Sequence, residues 1–149
     1  MDANSHVSAV AESQVSVFLG SDGAPFEALI AQLMNPRNED RSEAEQLFNL
    51  CRARQLDTFL LKLVYMVRSS SSPDVRSMAA ILARKQLGSW SQLNPQTQAS
   101  IKEQLLYSVQ QEEIQSVSKK LCDTIAEVAA NLSEDSPWGE LFPFLFQCV

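Results

Sequence analysis

Residues 73–90 read PDVRSMAAILARKQLGSW, a stretch with a marked limit at each end. Ser72 and Pro73 supply an N-cap and a first-turn proline, Asp74 sets negative charge against the positive helix end, and Gly88 follows the last turn. On a helical wheel Val75, Met78, Ala79 and Leu82 share one apolar face, with Ile81 on one flank and Ala83 and Leu87 on the other. An arc that broad exceeds what a helix covering a single core needs. A helix stacked between neighbours buries its face and both flanks, leaving a narrow outward strip, here Ser77 and Arg84 with Arg76 and Lys85 at its margins.

Helical spacing continues on both sides of this stretch. Upstream, Pro25–Met34 carries Phe26, Leu29, Ile30 and Leu33, and Asn38–Arg54 carries Ala44, Leu47, Phe48 and Cys51. Asp57–Arg68 then presents Phe59, Leu60, Leu63, Val64 and Val67, and the serines at 69–72 read as a polar loop. Downstream, Asn94 and Pro95 open a helix to Glu112 that buries Ile101, Leu105 and Val109. After a break near Glu113 a further helix to Leu132 buries Val117, Leu121, Thr124, Ile125 and Val128. Trp138–Val149 begins one more, through Leu141, Leu145 and Cys148, with Pro143 weakening or kinking it.

These segments come in pairs whose first members start near Pro25, Asp57, Pro95 and Trp138, spacings of roughly 30 to 45 residues that suit helical-hairpin repeats. The expected fold is all-α: an α-α superhelix, a HEAT/armadillo-like solenoid of three helical hairpins plus the first helix of a fourth, over residues 24–149. Residues 1–23, rich in Ser, Ala and Val without a sustained period, are expected to be a flexible extension, with a short amphipathic helix around Val10–Leu19 as the alternative. The last helix has no partner, and Phe142, Phe144 and Phe146 would leave apolar surface that stacking normally covers. That predicts a piece of a longer solenoid, or a truncated product needing a neighbour.

Composition narrows the function classes. The chain is 45% hydrophobic with only 4 glycines, as expected of one well-ordered helical unit, and its net charge of −6 argues against nucleic acid or an anionic membrane surface as a partner. No apolar run approaches the ~18 residues of a membrane span and the N-terminus lacks a basic secretory region, so neither secretion nor membrane insertion is expected. Cys51, Cys122 and Cys148 are widely spaced within helical patterns and read as reduced thiols of a cytosolic or nuclear protein. The single histidine, His6, lies in the extension, and the glycines are scattered rather than gathered into a phosphate loop. Glu43 with Glu45, and Glu112 with Glu113, diverge around a helix and read as solvated faces; Trp90 and Trp138 read as core anchors. No catalytic, cofactor or metal site is expected, and the chain reads as no enzyme.

Several pieces resemble one family, the N-terminal domain of the importin-beta (karyopherin-beta) nuclear transport receptors. They are AEQLF at 44–48, running into FNL at 48–50, then RSMAAILARKQL at 76–87 with Trp90 beyond it, KKLCDTIAEVAANL at 119–132, WGELFPFLF at 138–146 and the closing FQCV. Their order is most similar to the importin beta-3 (importin five) branch, with a plant as the expected source. Gly139 departs from a proline common in the family, and Ala83 and Gln86 from the usual aliphatics. The resemblance implies a HEAT superhelix whose second, inner helices bind the small GTPase Ran in its GTP form, releasing imported protein cargo in the nucleus. Cargo and nuclear pore proteins would engage a longer chain, in cytoplasm and nucleus.

The candidate partner-binding surface is the row of outward strips on the second helix of each pair. The first strip offers Ser42, Gln46 and Asn49, the second Arg76, Ser77, Arg84 and Lys85, and the third Lys119, Asp123 and Glu127. By resemblance Arg84 takes the family's inner-helix basic position and ranks first. A HEAT-repeat scaffold unrelated to nuclear transport shares the periodicity and is the alternative.

Overall fold

The computed structural model describes residues 3–132 together with Trp138 and Leu141, with side chains from Ala11 onward. Among these residues the α-helices are α1 (Ala3–Phe18), α2 (Ala24–Leu33), α3 (Asn38–Arg54), α4 (Leu56–Ser69), α5 (Pro73–Gln86), α6 (Pro95–Gln111) and α7 (Gln115–Ala130), and no strand occurs. The start signals act as their chemistry dictates. Ser72 Oγ accepts from the Val75 N–H at 3.3 Å, Asn94 Oδ1 accepts from the Gln96 N–H at 3.0 Å, and a proline follows each cap.

Helices pair through short turns, α2 with α3, α4 with α5 and α6 with α7, and the pairs then stack: α4 lies against α6 and α5 against α7. First helices of the last two pairs thus lie in one row and second helices in another, while the first pair meets the second through α3 with α4 and α2 with α5, in the all-α HEAT-type solenoid that the period predicts. Phe59 of α4 is fully buried where the first two pairs meet, its ring edge-on to Phe26 of α2 at 6.1 Å and to Phe48 of α3 at 4.7 Å. Farther along, Trp90 and Trp138 are both buried, as anchors should be.

On α5 the deepest stripe is Val75, Ala79, Ala80 and Ala83, whereas Met78 and Leu82, central on the wheel, are only half-buried. The reason is that α5 is packed on two sides, by α4 and by α7. Alanines let three backbones approach closely, and the longer side chains fill the margins. Contact is close enough for the Thr124 hydroxyl of α7 to reach the Ala80 carbonyl of α5 at 3.0 Å. Ala83, which departs from the family's usual aliphatics, is part of this close approach.

One expectation is corrected. The first segment is helical from Ala3 rather than a loose extension, and α1 docks on α2 and α3 through buried Ala11, Val15 and Leu19. Spacing of four residues puts these on one face, a pattern masked by the small and polar residues between them. Gly88 follows the last turn of α5, which ends at Gln86, as the sequence indicates. The helix tightens into a 3-10 segment, Leu87–Gln92, and no described glycine has positive φ.

The fourth-pair helix expected from Trp138 lies outside the described residues except for Trp138 and Leu141, whose N–H donates to the Trp138 carbonyl at 3.1 Å. Gly139, Phe142, Pro143, Phe144, Phe146 and Cys148 fall outside as well, as does the His6 side chain. Among the described residues no helix is long and apolar enough to cross a membrane.

Candidate protein-docking face

The row of second helices carries the three strips in order. Ser42, Gln46 and Asn49 are exposed on α3; Arg84 and Lys85 are exposed and Ser77 half-buried on α5; Lys119 is exposed and Asp123 and Glu127 half-buried on α7. Stacking of α5 on α7 joins the second strip to the third. Ile81, Arg84, Lys85 and Gly88 face Lys120, Asp123 and Glu127 across a cleft of ≈ 560 Å³. Arg84 and Asp123, some forty residues apart, therefore line one surface feature.

Lys120 is the residue that the sequence reading missed in favour of Lys119. The signal was available in the i, i+3, i+7 line of Lys120, Asp123 and Glu127, which puts all three on one face of α7. Lys119 is solvent-exposed outside the cleft lining. Gln46 and Asn49 also lie outside it, and α3 is tied to this region through Arg52, whose Nη1 donates to Gln86 Oε1 of α5 at 3.3 Å.

Among the described residues the side chains of Arg84, Lys85, Lys120, Asp123 and Glu127 make no salt bridge and no hydrogen bond. Three cations and two carboxylates thus border one cleft with Ile81 in its lining and no internal partners. Such an arrangement suits charge-assisted hydrogen bonds to a protein surface of mixed charge.

Arg76, placed with this strip by the wheel, is committed elsewhere. Its Nε and Nη2 donate to the two oxygens of Glu112 at 3.0 and 3.1 Å, and its Nη1 donates to the Ser70 carbonyl at 2.9 Å. The pair ties the start of α5 to the corner between α6 and α7, with side chains only 15% and 5% exposed. Glu112 is consequently no solvated carboxylate. Burial by itself raises its carboxyl, but hydrogen bonds from Arg76 and the Ile114 N–H, with the charge of Arg76, hold it below the usual carboxylate range.

On the opposite row, the Arg68 guanidinium lies 5.4 Å from the ring centroids of both Tyr65 and Tyr107, clamping α4 to α6. Asp57 Oδ2 accepts from the Asn94 N–H and the Thr97 hydroxyl, each at 3.2 Å, across the same two helices. Burial pushes the Cys51 thiol up to about 11, which keeps it protonated and unreactive at neutral pH. Among the described residues no group of three or more His, Cys, Asp or Glu side chains is placed to hold a metal ion.

Comparison with known proteins adds to this geometry. Residues 44–111 match the family described as Importin-beta N-terminal domain, and residues 113–149 match that described as IPO5-like, TPR repeats. A probable importin-5 homolog of Dictyostelium discoideum is 22% identical over 129 residues, 83% of this chain and 12% of that protein. The crystal structure of Kap121p bound to RanGTP superposes with a TM-score of 0.75 at 25% identity, over 91% of this chain and 12% of that one. The chain thus spans about an eighth of the length of either relative.

Proposed function

We propose that this chain is the N-terminal region of an importin-beta family receptor, that it binds the small GTPase Ran in its GTP form and that it takes part in carrying protein cargo into the nucleus. The observation that carries the reading is the likeness, over 91% of the chain, to a receptor solved with RanGTP. It is supported by a face whose charged groups have no partners of their own. Arg84 and Lys85 on α5, with Asp123 and Glu127 on α7, are the central contacts; Ser77, Lys119, Gln46 and Asn49 flank them. Arg76 supports the row from behind. Cargo and nuclear pore proteins are assigned to the rest of a longer receptor, which works in both cytoplasm and nucleus, and no chemical step is assigned to the chain.

The test is a pull-down of this chain with Ran loaded with GTP or with GDP. Retention of the GTP form alone is expected, and equal retention of both removes the reading in favour of a general repeat scaffold. Arg84→Glu should weaken binding by about tenfold, the cost of ~1.4 kcal/mol that a reversed charge at a partly desolvated contact carries. Its far-UV circular dichroism should match the parent, since the Arg84 side chain is exposed and makes no internal hydrogen bond or ion pair. Equal affinity of the two proteins would remove Arg84 from the site.

A further inference from the structure

We infer that Gly88 is the point at which the main chain of the bound partner lies closest to this protein. The inference rests on the docking reading above and deepens it, because it names the part of the partner that meets this end of the cleft. Glycine is costly where nothing requires it: it loses more freedom on folding than any other residue and contributes no packing. At the other described glycines a side chain would meet the protein itself. A Cβ on Gly20 would come within 2.9 Å of the Ser16 carbonyl oxygen, and one on Gly23 within 3.0 Å of the Met66 methyl.

Gly88 has no such neighbour. Its φ is not positive, so any residue can adopt its backbone, and a Cβ built there meets nothing within 4 Å. It is exposed, it stands in the 3-10 segment that continues α5, and it borders the same cleft as Arg84, Lys85, Lys120, Asp123 and Glu127. What its missing side chain provides is access. A partner loop can lay its backbone directly on this segment while its side chains reach the charges beside it, an acidic group toward Arg84, Lys85 and Lys120 and a basic group toward Asp123 and Glu127. The partner so described is a protein loop carrying both signs of charge, not a nucleic acid or a small anion.

Two quantities separate this role from a merely tolerated glycine: the thermal midpoint and the affinity for Ran-GTP at fixed salt, measured on the full chain for Gly88→Ala, Gly88→Leu and the control Ser91→Leu. Ser91 is exposed in the same 3-10 segment but does not line the cleft. The midpoint of Gly88→Ala should equal or exceed that of the parent, since the substitution removes backbone freedom from the unfolded chain and meets no atom in the folded one. Affinity should fall with side-chain size, by about threefold for alanine and about thirtyfold for leucine, as atoms forced into a fitted contact do. Ser91→Leu should bind as the parent does. Parent-like binding by Gly88→Leu overturns the inference and leaves Ran binding standing, whereas a parent chain that binds no Ran-GTP removes both.

Discussion

Phe59→Ala should lower the unfolding free energy by about 3–5 kcal/mol, the range for deleting a fully buried phenylalanine and leaving a cavity. The size follows from the position of the ring, which is fully buried in α4 and edge-on to Phe26 of α2 and Phe48 of α3. Three helices from two pairs meet at it, so the space cannot close by moving one of them. Against a total of about 5–15 kcal/mol for a domain, such a loss is a large share, and a marked drop in the urea midpoint and in Tm is expected. Phe59→Leu keeps most of the volume and should cost distinctly less. A loss below about 1 kcal/mol for Phe59→Ala would mean that the first two pairs do not meet at this ring.

Arg76→Ala should follow closely, with a loss of about 3 kcal/mol, because removing one partner of a largely buried pair leaves the other charge uncompensated. Glu112 is the group left behind, its side chain only 5% exposed. The contrast is Arg54 with Glu12, joined at 2.9 Å between side chains 39% and 56% exposed, where Arg54→Ala should cost less than about 1 kcal/mol. Equal losses at the two sites would refute the distinction.

Acid should expose the same pair. A carboxyl held below its unfolded value contributes stability that is whole above the unfolded pKa and fades as the pH falls through the folded one. Glu112 is shifted in that direction, so its contribution is complete at neutral pH and declines in acid. Glu112→Gln should therefore differ most from the parent at neutral pH, with the gap closing as the solution is acidified. A constant gap across that range would show that the shift does not contribute. Arg76 thus bears on docking through structure: it ties α5 to the corner that leads into α7, the two helices that border the cleft.

Short-range chemistry wrote much of this molecule in a form that can be read along the chain. The limits of α3 at Asn38 and Arg54 and the starts of α5 and α6 follow from caps, prolines and charges that act within one helical turn. Recurrence of those signals in pairs foretold stacked hairpins, and the outward positions of Arg84, Lys85, Asp123 and Glu127 followed from their own helices. What remained depended on residues far apart in the chain. A wheel gives a side chain's direction about its own axis, so it placed Arg76 beside Arg84 but could not show that Glu112 waits for it. Nor could it show that alanines rather than Met78 and Leu82 would take the deepest stripe, because that was settled by α4 and α7 closing on α5 from two sides. Docking of α1, the choice of Lys120 over Lys119 and the open space around Gly88 are of the same kind. Each is a relation between surfaces, and those surfaces exist only once the helices are packed.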